Sequence, residues 1–181
     1  AASDVYKRQT DVLFYQNYTY VADISAIVLC IICWLLLHSS YTVREKSLII
    51  FKAGTVCLMM ATVCSISFHT AITRITESRK ILIYVLQDGI YLLLILTFVL
   101  LCNYFGTLLK LEERPARLLG AVSWGGYAVF AFLEIGSPFT HLGFYIDADL
   151  MVHQNFYFDP FRFAYIYYCI VLVAVSYTHL T

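Results

Sequence analysis

The stretch ILIYVLQDGIYLLLILTFVLLC (Ile81–Cys102) decides the fold, because it is almost continuously apolar and Asp88 is its only charged side chain. At about 1.5 Å rise per residue it can cross the roughly 30 Å hydrocarbon core of a bilayer as a helix. It lacks the alternation of a membrane β-barrel strand, and a backbone in lipid must satisfy its own hydrogen bonds, so a helix is the reading. Working outward, three similar runs appear at Val21–Leu37, Ser47–Ser67 and Leu118–Ile135, and a shorter one at Phe163–Val175. The last has about a dozen residues against the roughly 20 a span requires. The expectation is an all-α membrane protein, a bundle of four complete transmembrane helices plus a truncated fifth.

Composition agrees. Of 181 residues, 61% are hydrophobic, 17% aromatic and only 13% charged. A water-soluble domain carries about 25% charge, so a cytosolic enzyme or a disordered chain fits poorly. Twelve basic and twelve acidic residues balance without a basic run, which argues against a nucleic-acid partner and leaves the lipid bilayer as the first one.

The ends, positions 1–9 and 176–181, read as peptide translated from sequencing-adapter DNA, and the expectation is that the transmembrane region is 10–175 of a longer parent. Setting Lys7, Arg8 and Asp4 aside from twelve of each sign leaves ten basic and eleven acidic residues.

The connections His38–Lys46, Thr73–Lys80 and Gly106–Arg117 are short and polar. Gly136–Arg162 is longer and carries aromatic and β-branched residues on both sides of Asp147-Ala148-Asp149, so a small β-hairpin is expected there, with an irregular lid as the alternative. Placing the amino terminus outside puts Arg44, Lys46, Lys52, Lys110, Arg114 and Arg117 inside, against Arg74, Arg79, Lys80 and Arg162 outside. The basic majority therefore favours an outer amino terminus.

Cys30, Cys33, Cys57, Cys64, Cys102 and Cys169 all fall in apolar spans. The Cys30/Cys33 pair has CxxC spacing, but a redox or zinc role needs a thiolate, and hydrocarbon disfavours one, so all six read as packing residues. Phosphate-binding loops, GxSxG and HExxH are missing, and the chain is read as not an enzyme, with no cofactor and no metal. His141 and His153 with Asp147 or Asp149 have suitable chemistry for a metal, yet nothing in their spacing fixes a geometry. The small residues Ala121, Gly125 and Gly126 offer a close helix contact.

Ionisable residues in the spans are more informative. Asp23 starts the first span, His69 follows the second, Asp88 lies about two turns into the third and Glu134 ends the fourth. Successive spans alternate in direction, so all four share one leaflet. A carboxylate roughly 10 Å below the interface costs up to about 2.5–3.5 kcal/mol if it faces lipid, so Asp88 should face the bundle interior. Tyr84, Gln87, Asp88 and Tyr91 make one polar stripe by i+3 and i+4 steps, and Thr62, Ser65 and His69 make another. Asp88, Gln87, Tyr84, Tyr91, His69, Asp23 and Glu134 are the candidate lining of an outer pocket for a small ligand. The competing reading is that Asp88 bonds a neighbour and sets helix register. The tyrosines and phenylalanines near span ends fit an interfacial belt.

The stretch GFYIDADLMVHQNFYFDPFRFAYIYY (Gly143–Tyr168), with Gln16–Tyr20 leading the first span, resembles the amino-terminal seven-helix membrane sensor regions of bacterial signalling proteins. It is similar to those of GGDEF diguanylate cyclases of Firmicutes, and more loosely to seven-helix histidine kinases, over about 14–175. The resemblance implies a multi-pass protein of the bacterial plasma membrane, homodimeric through regions beyond this chain, that relays an outer or membrane signal to a cytoplasmic output domain. Two to three helices and that domain lie outside the chain, so no catalytic residue is carried over. The alternative is a piece of a multi-pass transporter using Asp88, which would favour broken helices near the midplane.

Overall fold

The computed structural model describes residues 20–40, 46–141, 143–147, 150, 152–154 and 159–180. The adapter-like positions 1–9, most of the Gln16–Tyr20 motif, Arg44, Asp149 and Phe156–Phe158 lie outside the described residues. Five helices dominate: α1 (Val21–Ser40), α2 (Lys46–Ile72), α3 (Lys80–Leu108, entered through the 3-10 turn Glu77–Arg79), α4 (Glu113–Ile135) and α5 (Pro160–Leu180). Between α4 and α5 stand a helical turn (Ser137–Thr140) and two antiparallel strands, β1 (Phe144–Ile146) and β2 (Val152–Gln154). The expected hairpin is thus present, pairing Phe144 with Gln154, Tyr145 with His153 and Ile146 with Val152.

Four helices are long and apolar enough to cross a membrane: Lys46–Ile72, Glu77–Leu108, Glu113–Ile135 and Pro160–Tyr177. One expectation is corrected here. The fifth apolar run belongs to a helix long enough to span: it has 21 residues, beginning three residues before Phe163 and continuing through 176–180. Its start is set by Asp159-Pro160. The Asp159 carboxylate accepts the Phe161 N–H at 3.0 Å, and Pro160 occupies the first helical position, where its missing N–H is no loss. Among the described residues α1 has the shortest apolar part, Val21–Leu36, within a 20-residue helix. The other helices outrun their apolar cores because polar residues at the membrane boundary still extend a helix, as Glu113, Arg114 and Arg117 do at the start of α4.

α3 is central, packing against α2, α4 and α5, while α1 lies on α2. One buried cluster joins Ile95, Val99 and Cys102 of α3 to Leu119 of α4 and to Ala164 and Tyr168 of α5. Tyr167 and Tyr168 donate their hydroxyls to the Val122 and Ser123 carbonyls, both at 2.8 Å, locking α5 on α4. Gly126 permits this approach, since a Cβ there would overlap the Tyr167 ring, whereas Gly125 faces open space. The outer surface is lined with exposed apolar side chains on every helix, including Leu29, Val85, Phe132 and Val173. Such a surface suits a lipid solvent. The architecture is that of a multi-pass membrane protein.

Candidate functional site

The sequence candidates gather at the hairpin end of the bundle. β1 turns Phe144 and Ile146 inward, as alternate strand residues share a face. There they pack with Phe68, Ala71 and Ile72 of α2 and Ile83 of α3 into a second apolar cluster. Phe144 meets the Phe68 and Tyr84 rings edge-on, at 5.6 and 5.8 Å. The hairpin is therefore a plug seated between α2 and α3.

Tyr84 pins that plug. Its hydroxyl accepts the Ile146 N–H at 2.7 Å and donates to the Ile146 carbonyl at 3.4 Å. Beside it, the Lys80 ammonium donates to the Asp147 carbonyl at 3.1 Å. At the hairpin's other root, Ser137 accepts the Gly143 N–H at 3.0 Å and donates to the Phe144 carbonyl at 3.3 Å. A side chain at position 143 would collide with Ser137, so glycine is required there.

Beneath and beside the plug, the charged candidates separate into two groups. Asp23 of α1 lies within electrostatic reach of His69 near the end of α2. Glu134, at the end of α4, lies within electrostatic reach of both Asp88 and Asp159. Glu134 is 1% exposed and Asp159 4% exposed. One carboxylate oxygen of Glu134, Oε2, has no hydrogen-bond partner among the described residues. Three acidic side chains, from α3, α4 and the cap of α5, thus share one largely buried region. Gln87 is also buried, and Tyr91 stacks on Phe161 at 4.8 Å, tying α3 to the start of α5.

Asp159 is the candidate position that reading the spans alone does not supply. Its signal was available: an Asp directly before Pro at the head of an apolar run is a helix start, which carries that carboxylate to the membrane boundary beside Glu134. Of the histidines considered for a metal, His153 meets Asp147 at 3.0 Å on the hairpin's outer face and stacks on Tyr145 at 4.9 Å. His141 contacts the same Tyr145 ring edge-on. Among the described residues no group of three or more such side chains is arranged to hold a metal ion. The six cysteines are free thiols, with Cys30 and Cys102 buried, Cys57, Cys64 and Cys169 half-buried and Cys33 exposed.

Comparison with protein-family models, curated proteins and solved structures finds no match for this chain in any of the three.

Proposed function

We propose that the chain is the membrane-embedded sensory input region of a bacterial signal-transduction protein. In this reading it sits in the plasma membrane with its amino terminus outside, and passes a ligand or membrane signal to a cytoplasmic output domain of a dimeric parent. The observation that carries the reading is that buried Glu134 lies within electrostatic reach of both Asp88 and Asp159 at the hairpin end of the bundle. Burying carboxylates together, one with an oxygen lacking a hydrogen bond, is unfavourable for folding, and such groups within a membrane mark functional positions by default. Because the three come from α3, α4 and α5, any change in their charge or occupancy alters the packing of three helices at once, which is how a local event becomes a population shift.

The transporter alternative draws on the same intramembrane carboxylate. The helices bear against it: α2, α3 and α4 each run unbroken through their spans, with no unwound segment at mid-depth.

Two measurements test the proposal. Sequencing the parent gene beyond Val175 should reveal two further spans and a cyclase or kinase domain, while a long run of additional spans would sink the sensor reading. In that parent, Asp88→Asn should leave membrane insertion intact and change output. Unchanged output across a panel of candidate ligands would reduce Asp88 to a structural role.

A further inference from the structure

At the end of the bundle opposite the hairpin lies a cavity of about 500 Å3. It opens between the first turn of α2 (Lys46, Ser47), the last turns of α3 (Asn103, Thr107, Lys110) and the start of α4 (Ala116). Lys46 and Lys110 line it, and among the described residues neither is engaged in an ion pair.

Backbone electrostatics have the same sign. The amino-terminal end of α4, with Glu112 at its cap position, opens at this level and presents the positive end of its dipole. The carboxyl-terminal end of α3 would oppose an anion, but its last carbonyls are already occupied. The Leu111 N–H donates to Gly106 and the Lys110 N–H donates to Thr107, both at 3.2 Å, closing the helix in a Schellman turn. That turn sets Lys110 at φ 50°, a left-handed position that ordinarily favours glycine or asparagine. A lysine is held there, on the cavity wall. No acidic residue is among the described residues lining the cavity; nearby in sequence, Glu113 is engaged by Arg117 at 3.3 Å and Glu112 is exposed.

We propose that this cavity binds a phosphate group, and specifically the headgroup phosphate of an anionic phospholipid. Chemistry selects the phosphate: Lys46 and Lys110, neither in an ion pair among the described residues, line one cavity with the first turn of α4, and the Asn103 amide, which donates one hydrogen to the Val99 carbonyl at 2.8 Å, retains a second. Depth selects the lipid. The cavity is walled by the terminal turns of membrane-spanning helices, the level at which phospholipid phosphates lie, and basic pockets between helices at that level suit lipid headgroups. Leu111 and Leu119 supply an apolar wall for the adjoining glycerol and acyl carbons.

The test uses the full chain in nanodiscs of phosphatidylcholine containing a minor fraction of phosphatidylglycerol, with retained phosphatidylglycerol counted by native mass spectrometry. Each of Lys46→Gln and Lys110→Gln should lower retention about five-fold, and the double variant about thirty-fold, taking roughly one kcal/mol per lysine at a charged surface. Raising the salt should shrink the difference. Lys110→Arg should retain the lipid, which separates charge from fold, and Lys52→Gln, half-buried on α2 outside the cavity, should match the unsubstituted chain. Equal retention by the double variant and the unsubstituted chain overturns the site. Displacement of phosphatidylglycerol by millimolar inorganic phosphate overturns the lipid as its source and assigns the cavity to a soluble phosphate.

Discussion

Tyr84→Phe removes one oxygen from the joint between α3 and the hairpin and leaves the ring in place. The lost atom serves both the Ile146 N–H, at 2.7 Å, and the Ile146 carbonyl, at 3.4 Å. The first bond is short and the second long, so the main consequence is a stranded N–H. Ile146 is 5% exposed, and the surrounding side chains are Phe68, Ile83 and Phe144, none of which can accept that hydrogen. A buried donor left without a partner costs about 1–3 kcal/mol. The edge-on contact with Phe144 survives, so the Lys80 and Ser137 anchors should keep the hairpin seated for most of the time. Converted to a local opening equilibrium, that range is about 5- to 150-fold. Amide hydrogen exchange in detergent or nanodiscs reads it directly: Ile146 should exchange faster by that factor, while amides at mid-depth in α3, such as Val99, should not change. Exchange at Ile146 within two-fold of the unsubstituted chain would refute the claim that Tyr84 pins the plug, as would an equal acceleration at Val99.

Further substitutions test the other joints. Gly126→Ala should lower stability by about 1–3 kcal/mol, since its methyl group would overlap the Tyr167 ring, whereas Gly125→Ala, facing open space, should be close to neutral; thermal unfolding in one detergent compares them. Tyr168→Phe should cost about 1 kcal/mol through the lost 2.8 Å bond to Ser123, and a change indistinguishable from zero would mean that the buried hydroxyl contributes nothing. Glu134→Gln keeps the shape and removes a carboxylate from beside Asp88 and Asp159, so it should raise the unfolding midpoint by roughly 2–4 °C for each kcal/mol gained, and a lowered midpoint would show that the trio stabilises the fold.

Much of the architecture was legible because the bilayer is a simple solvent. Long apolar runs must become helices there, and alternating direction sends Asp23, His69, Asp88 and Glu134 to one end without any knowledge of packing. What was not legible follows from local chemistry. Span boundaries judged by hydropathy miss the polar turns that continue a helix, so hydropathy starts the fifth run at Phe163 whereas Asp159-Pro160 marks the cap. The polar residues of the α3 stripe find different neighbours. Tyr84 faces the hairpin, Tyr91 meets Phe161 of α5 and Asp88 lies near Glu134, because three different elements meet one helix over two turns. Spacing alone reports which side chains share a face, not which neighbour each will find.

The two ends of the bundle solve opposite electrostatic problems with the same covalent inventory. At the hairpin end, α4 finishes and α5 begins, and the acidic residues there are shut beneath a plug whose own seat is apolar. At the far end, α2 and α4 begin, and the lysines there line an open cavity. Anionic groups are favoured near helix amino termini and cations near carboxyl termini. Asp159, capping α5, obeys this rule, while Glu134, one residue from the end of α4, violates it. A carboxylate at the negative end of a helix, buried and near two others, is the least comfortable charge in the molecule. Glu134, rather than the deeper Asp88, is therefore where a bound cationic group or an altered hairpin would change the energy of the bundle most, so Glu134→Gln should alter output in the parent at least as strongly as Asp88→Asn. A parent whose output responds to Asp88→Asn and is indifferent to Glu134→Gln would break the argument that the three carboxylates act as one unit.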